Sequence, residues 1–255
     1  MKNFLIIPLL LFIFNSYAEP IQLSACGHHD YAPWNWKSQN KIIGACAEVT
    51  KTLFAKLGVD VDFTFVGPWK RCQNYIASGK VDINICAFKN NQRKEYSVFT
   101  KTPMGLNENA VFVRKDKKIL FSAWSDLQDK IAGMVLGVSI GEEFDHFLAH
   151  HTRVERVRTF IQNFQKLAVN RVDFIPTGRF SGKAMLHAFD LSDKIIDLPH
   201  PILTGKLYIS MSKKSKHLYL LPKIDRMLQD EKHLEWVDML LKKYMQIYKK
   251  AHQLP

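Results

Sequence analysis

The stretch that most constrains this chain runs from Val59 to Arg93, VDVDFTFVGPWKRCQNYIASGKVDINICAFKNNQR. Asp60 to Val66 alternates polar and apolar residues and is rich in Val and Phe, the pattern of a strand packed on one face. Gly67-Pro68 ends it, and Pro is tolerated in the first turn of a helix. Trp69, Cys72, Tyr75 and Ile76 then recur at helical spacing as far as Ser78-Gly79. Val81 to Ala87 is short and apolar and runs into a polar loop, as a buried parallel strand does. Ligands of such sheets bind in the crevice outside the carboxyl ends of the strands, so the site is expected in the loops that follow them.

The same residues resemble those of the extracytoplasmic solute-binding proteins of family 3, which serve polar amino acid ABC transporters. Within the stretch the resemblance rests on PW-K-R, SGKVDI and R-K-E-Y. Before it stand YAPWNW, KIIG and EVTKTLFAKLGVDVDF; beyond it stand DLQDKIAGMVLGVSIGEEFD and NRVDFI, in the family's order over nearly the whole chain. The resemblance implies an α/β, two-lobed, type II periplasmic-binding-protein-like fold. Each lobe is then a mostly parallel sheet flanked by helices, with two hinge crossings between them. Lobe 1 is expected over 19–113 and 206–255, and lobe 2 over 114–205.

The remaining pattern fits that order. Ile21 to Cys26, Ile131 to Gly137, Val154 to Phe160 and Val172 to Pro176 read as strands. Ile43 to Leu57, Glu142 to His150, Asn163 to Asn170 and Lys183 to Phe189 read as helices. Ala110 to Arg114 and Leu207 to Met211 are apolar and suit the two crossings, with Ile195 to Leu198 as a separate short strand. Helices are expected between Leu220 and Tyr248, packed on the first lobe.

At 255 residues and 47% hydrophobic, the chain can bury the cores of two lobes. Met1 to Ala18 has a basic Lys2, an apolar run from Phe4 to Phe14 and a small-x-small ending, Ser16-Tyr17-Ala18. It reads as a signal peptide cleaved after Ala18, because the run is shorter than the ~20 residues that span a bilayer. No Cys follows the expected cut, so a lipid anchor is not indicated, and a soluble periplasmic monomer is expected. The net charge of +12 is dispersed, with short runs at Lys115 to Lys118 and Lys213 to Lys216. No nucleic-acid motif accompanies it, and a solvated basic surface is the reading.

Four cysteines, Cys26, Cys46, Cys72 and Cys86, lie in the first third of the expected mature chain. In an exported protein an even count points to disulfides, and the sequence allows three pairings. Zinc usually takes closely paired ligands such as C-x2-C, which are absent here. The family's fold sets the helix after the second strand beside the end of the first, which implies Cys26 with Cys72 and Cys46 with Cys86.

The candidate site follows from the loops and from the resemblance. The loop GHHDYAPWNW is unusually aromatic for a turn, and rings beside a pocket stack on ligand faces. Tyr31 and Trp34 match the family's stacking positions, and Trp69 stands beside the next strand end. Gly137 and Ser139 sit in GVSIG before a helix, where backbone N–H groups can receive an anion. By resemblance Arg93 clamps a ligand carboxylate. The family's small hydroxyl position falls on Phe88, and its ammonium-binding acid falls on Gly178, followed by Arg179. The missing acid weighs against an ordinary amino acid, since an unpaired buried ammonium is costly. Asp30 is the residue able to compensate, although the resemblance aligns His28 with the family's other acid position. His28 and His29 read as polar loop residues rather than metal ligands, and no metal or cofactor is expected.

The function implied is a periplasmic receptor that closes on a small carboxylate-bearing solute, an amino acid or related organic acid, and delivers it to an ABC permease. The alternatives are a dehydratase-like enzyme on the same fold and a ligand-sensing module for a membrane receptor. No ordered acid–base set surrounds His28, His29 and Glu48, so binding without turnover is expected.

Overall fold

The computed structural model describes residues 21–117 and 119–252; the expected signal peptide over 1–18 lies outside them. The first strand, β1 (Ile21–Cys26), is followed by a small sheet of β2 (Asp30–Tyr31), β3 (Asn35–Ser38) and β4 (Lys41–Ile43). Helix α1 (Ala45–Ala55), strand β5 (Val59–Asp62), helix α2 (Trp69–Ser78) and strand β6 (Ile83–Phe88) complete the opening unit. β1 is central and pairs in parallel with β5, Ile21 opposite Val59, and with β6, Ala25 opposite Ile83. Every residue of β6 is buried, as expected of a strand covered on both faces. Helix α2 stops at Gly79, whose φ of 78° is the left-handed cap that glycine adopts without a Cβ penalty.

Two expectations here are corrected. The alternation through Val66 continues beyond β5 because its last residues turn to meet β4: the Ile42 amide donates to the Phe63 carbonyl at 2.7 Å and Thr64 bridges Lys41. The loop expected over Gly27 to Trp36 is partly strand, with Asp30 opposite Trp36 and Trp36 opposite Ile43.

The chain continues through α3 (Asn91–Tyr96), β7 (Ser97–Phe99) and the long strand β8 (Gly105–Arg114). After a 3-10 turn at Trp124–Leu127 come β9 (Ile131–Val135), α4 (Glu142–His151), β10 (Arg153–Val157), α5 (Phe160–Ala168) and β11 (Ile175–Gly178). Next are α6 (Arg179–Ala188), β12 (Ile195–Ser212), α7 (Leu221–Leu228) and α8 (His233–His252). β9 and β10 are parallel, Ala132 opposite Val154, and the Gly133 amide reaches the Phe174 carbonyl at 2.9 Å beside β11.

Strands β8 and β12 join the two lobes. They pair antiparallel from Ile195 opposite Arg114 to Leu207 opposite Gly105. One end of the pair continues into β6, Leu207 opposite Phe88, and the other into β11, Ile175 opposite Phe112. The two short strands expected at 195–198 and 207–211 are therefore one strand of 18 residues. Pro199 and Pro201 interrupt the sequence pattern but not the ladder, because the register shifts around Pro201 and Pro fits at such bulges. The parallel pairs lie within the lobes, and the antiparallel ones come from the crossing strands and from the small β2–β3–β4 sheet.

Two disulfides tie the opening unit, Cys26 to Cys72 and Cys46 to Cys86. The first pins the end of β1 to the first turn of α2, and the second pins α1 to β6. Helix α8 lays Tyr244 and Tyr248 edge-on against Trp36, with ring centroids 5.8 and 5.3 Å away. Among the described residues no helix is long and apolar enough to cross a membrane.

Candidate functional site

The carboxyl ends of β1 and β6 face the Gly137–Gly141 loop and the start of α5 across a cavity of about 30 Å³. His28, Tyr31, Trp69, Phe88 and Arg93 line it from one side, and Ser139, Ile140 and Phe160 from the other. His28 stacks on Trp69 at 5.2 Å between centroids and meets Phe160 at 5.1 Å; Tyr31 stacks on Phe160 at 5.3 Å. Aromatic side chains from both lobes thus close over one small space.

Arg93 is 4% exposed. Its place was expected in a loop, but it lies in the short helix α3, where Asn90 caps the helix by accepting from the Arg93 amide at 2.9 Å. Its Nη1 donates to the Phe88 carbonyl at 2.7 Å and its Nη2 to the Gly137 carbonyl at 2.8 Å, with Cζ 5.5 Å from the Trp69 ring centroid. Trp69 Nε1 donates to the same Gly137 carbonyl at 2.9 Å. Gly137, at φ 78°, turns this carbonyl toward the opposite lobe. Burial draws the Arg93 pKa down, opposed by Tyr96 and Asp145.

The anion site expected at GVSIG is filled by the chain itself. Asp145 accepts from the Ile140 amide at 3.0 Å and from the Ser139 hydroxyl. Burial nevertheless holds the Asp145 carboxyl above its ordinary value, against those bonds and the nearby Arg93. Asp30 does similar work across the cleft. Its Oδ2 accepts from the Phe160 amide at 2.7 Å, at the amino end of α5, and its Oδ1 stands 2.8 Å from His28 Nδ1. Burial pulls the Asp30 carboxyl up, but His28, His29 and the Phe160 amide outweigh it and hold it below the usual range. Burial lowers His29, with Asp30 opposing.

Three of the residues singled out in the sequence stand elsewhere. Trp34 is 0% exposed and sits in the core, donating from Nε1 to Asn107 Oδ1 at 3.1 Å, so it does not line the cavity. Gly178 lies behind Tyr31, and a Cβ there would run into the Tyr31 hydroxyl and the Asn107 amide. Arg179 begins α6, four residues earlier than the expected helix start. It pairs with Glu108 and Asp197 and donates to the carbonyls of Leu198 and Pro199, bracing the crossing strands. Glu48 accepts from Lys243 of α8 at 2.7 Å and does not line the cavity.

From the sequence His28 reads as a polar loop residue and not as a ligand contact, and Phe160 is not selected. Two adjacent histidines are a weak signal, and nothing local marks Phe160 as facing a loop 130 positions earlier. His28, His29 and Asp30 bring possible metal-ligand atoms within 4.8 Å of one another. They are consecutive residues of one segment, and Asp30 is already committed to the Phe160 amide, so the set does not match the four-ligand pattern of a structural zinc site.

A family model described as bacterial extracellular solute-binding proteins, family 3, matches residues 23–247. Similar solved structures include the amino acid ABC transporter substrate-binding protein AbpA from Streptococcus pneumoniae bound to L-arginine. It has a TM-score of 0.73 at 20% identity and covers 89% of this chain and 95% of its own. An ancestral arginine-binding protein bound to arginine gives 0.72 at 23% identity, covering 89% and 99%. The VFT2 domain of BvgS from Bordetella pertussis, as a double mutant, gives 0.69 at 14% identity, covering 88% and 93%. At these identities the structures share the fold. A search of curated proteins finds no significant match.

Proposed function

The chain belongs to the bacterial extracellular solute-binding proteins, family 3, and from that premise we propose that it captures a small carboxylate-bearing solute between its lobes for an ABC permease. The observation that carries the reading is Arg93. It is buried at the cavity, and among the described residues no carboxylate lies within salt-bridge distance of it. Backbone carbonyls take two of its five N–H groups, leaving donors for an incoming anion. A buried charge without a counter-ion is costly, and a ligand carboxylate supplies that counter-ion in bidentate geometry.

Tyr31, Trp69 and Phe88 would contact the body of the ligand, with Ser139 and the Gly137 turn closing from the second lobe. The lobe limits read from the sequence, export with cleavage after Ala18, a periplasmic location and a monomeric state belong to the same reading. So does binding without turnover, since Glu48 is paired with Lys243 and does not line the cavity with His28.

The test is calorimetry with a ligand found by thermal-shift screening, where a hundredfold excess over Kd stabilises by about 2.7 kcal/mol. Arg93→Lys keeps the charge but loses the planar fork, and the expected result is at least about tenfold weaker binding by a folded protein. Unchanged affinity rejects the clamp. The likeness to a BvgS domain favours a second reading, a module that reports ligand occupancy to a membrane sensor. Copurification with a permease supports the first reading, and copurification with a sensor kinase the second.

A further inference from the structure

We infer that the solute is a mainly apolar carboxylate with no amino group, held by Arg93 and His28. This rests on the receptor reading above and names the class of solute that the same cleft accepts. The cavity presents one permanent cation, Arg93, and among the described residues no acidic side chain lines it. Its other walls are apolar, with Trp69, Phe88, Ile140, Phe160 and Leu207 prominent.

An ammonium group entering this space would shed its water and find no anion. The two partly buried carboxylates nearby do not line the cavity: Asp145 holds the Ser139 hydroxyl and the Ile140 amide, and Asp30 gives Oδ2 to the Phe160 amide while its Oδ1 stands 2.8 Å from His28 Nδ1. Opening the lobes would free Asp30 from Phe160, but His28 and His29 come from its own segment and stay beside it. No acid can be added at Gly178 in the closed form, because Tyr31 and Asn107 fill the space a side chain would need.

A separate observation points to the anion. His28 is 5% exposed and lines the cavity, and its Nε2 has no hydrogen-bond partner. Among the described residues, of the buried polar atoms without partners only His28 Nε2 belongs to a residue that lines the cavity, where a ligand acceptor can supply the missing partner. With Nδ1 donating to Asp30 and a second proton on Nε2, the His28 ring donates to one carboxylate oxygen while Arg93 donates to the other.

The experiment compares matched solutes by calorimetry on the mature protein: 3-phenylpropanoate against phenylalanine, 4-methylpentanoate against leucine, and phenethylamine as an amine without a carboxylate. The expected result is binding of at least one carboxylate, about 100-fold weaker binding of its amino acid counterpart, and no binding of phenethylamine. His28→Ala, which also removes packing on Trp69 and Phe160, is expected to weaken carboxylate binding about tenfold in a protein that still unfolds cooperatively, and Arg93→Lys to weaken it as well. Equal or tighter binding of the amino acid overturns the inference while leaving the receptor reading intact. Binding confined to uncharged or cationic solutes overturns both, and unchanged affinity in His28→Ala overturns the assignment of His28.

Discussion

The two sides of the cleft are built differently. On the first-lobe side all four cysteines cross-link the frame that carries the site: one bridge joins the end of β1 to α2, where Trp69 begins, and the other joins α1 to β6, which ends at Phe88. On the second-lobe side no cysteine is present, and the lining residues Ser139, Ile140 and Phe160 come from a glycine-flanked turn and a helix start. They are held by hydrogen bonds, those of Asp145 within the lobe and that of Asp30 across the cleft. One jaw is preformed by covalent bonds, and the other is set by carboxylates whose strength depends on charge and on closure.

The strongest challenge to this contrast is reduction. The bridges span 46 and 40 residues, and each is expected to stabilise by about 2–4 kcal/mol through the unfolded chain. For a chain of this size 1 kcal/mol moves the melting temperature by roughly 2–4 °C. Reducing both should lower it by about 10 °C or more. Hydrogen exchange should lose protection first in β1, α1 and β6, and equal early loss in β9 and β10 would erase the distinction.

Two glycines sharpen it next. A Cβ at Gly205 would overlap the ring of Phe88, and a Cβ at Gly182 the ring of Phe112. Overpacking of this kind costs about 1–3 kcal/mol. Gly205→Ala should therefore lower both stability and ligand affinity, because Phe88 lines the cavity. Gly182→Ala should lower stability alone, since Phe112 lies in the core. Denaturant unfolding and calorimetry on the two variants separate these effects; equal affinity losses would mean that the cavity is not specially sensitive to Phe88.

The two carboxylates should respond to pH with opposite sign. The Asp30 pKa is lowered in the folded protein, so its contribution is present above the unfolded value near ~3.9 and is lost as pH falls through the folded value. Asp30→Asn should cost about 1–2 kcal/mol at neutral pH and loosen closure, seen as a larger radius of gyration in X-ray scattering. Asp145 is raised, so its contribution is full below the unfolded value and declines as pH rises through the folded one. Asp145→Asn should be the smallest effect, about 0.5 kcal/mol or less at neutral pH, because Asn keeps an acceptor oxygen. A larger loss from Asp145→Asn than from Asp30→Asn would reverse the proposed roles.

Much of the fold is legible in the residues. The short apolar run of β6, the helical spacing from Trp69 to Ile76 and the Gly79 stop are local signals, and the structure keeps them within a residue or two. Where the reading failed, a distant partner decided the outcome. β12 runs through Pro199 and Pro201 because β8 lies beside it to hold the ladder together. Helix α6 starts at Arg179 because that side chain finds Glu108 and Asp197 on the crossing strands.

The site divides in the same way. Tyr31, Trp69, Phe88, Arg93 and Ser139 line the cavity, whereas Trp34 is turned into the core by Asn107, 73 positions away. The filling of GVSIG by Asp145 had a visible cue, an acid in the first turn of the following helix. The sequence by itself determined most of the helices and strands, their order and the loops that line the cavity, because hydrophobic periodicity and turn chemistry act over a few residues. Only the tertiary structure decided which polar groups are already spent: Arg93 on Gly137, Asp30 on Phe160, and His28 Nε2 on nothing. A hydrogen bond depends on the approach of atoms to about 3 Å, and for these groups the approaching chain lies 44 and 130 positions away.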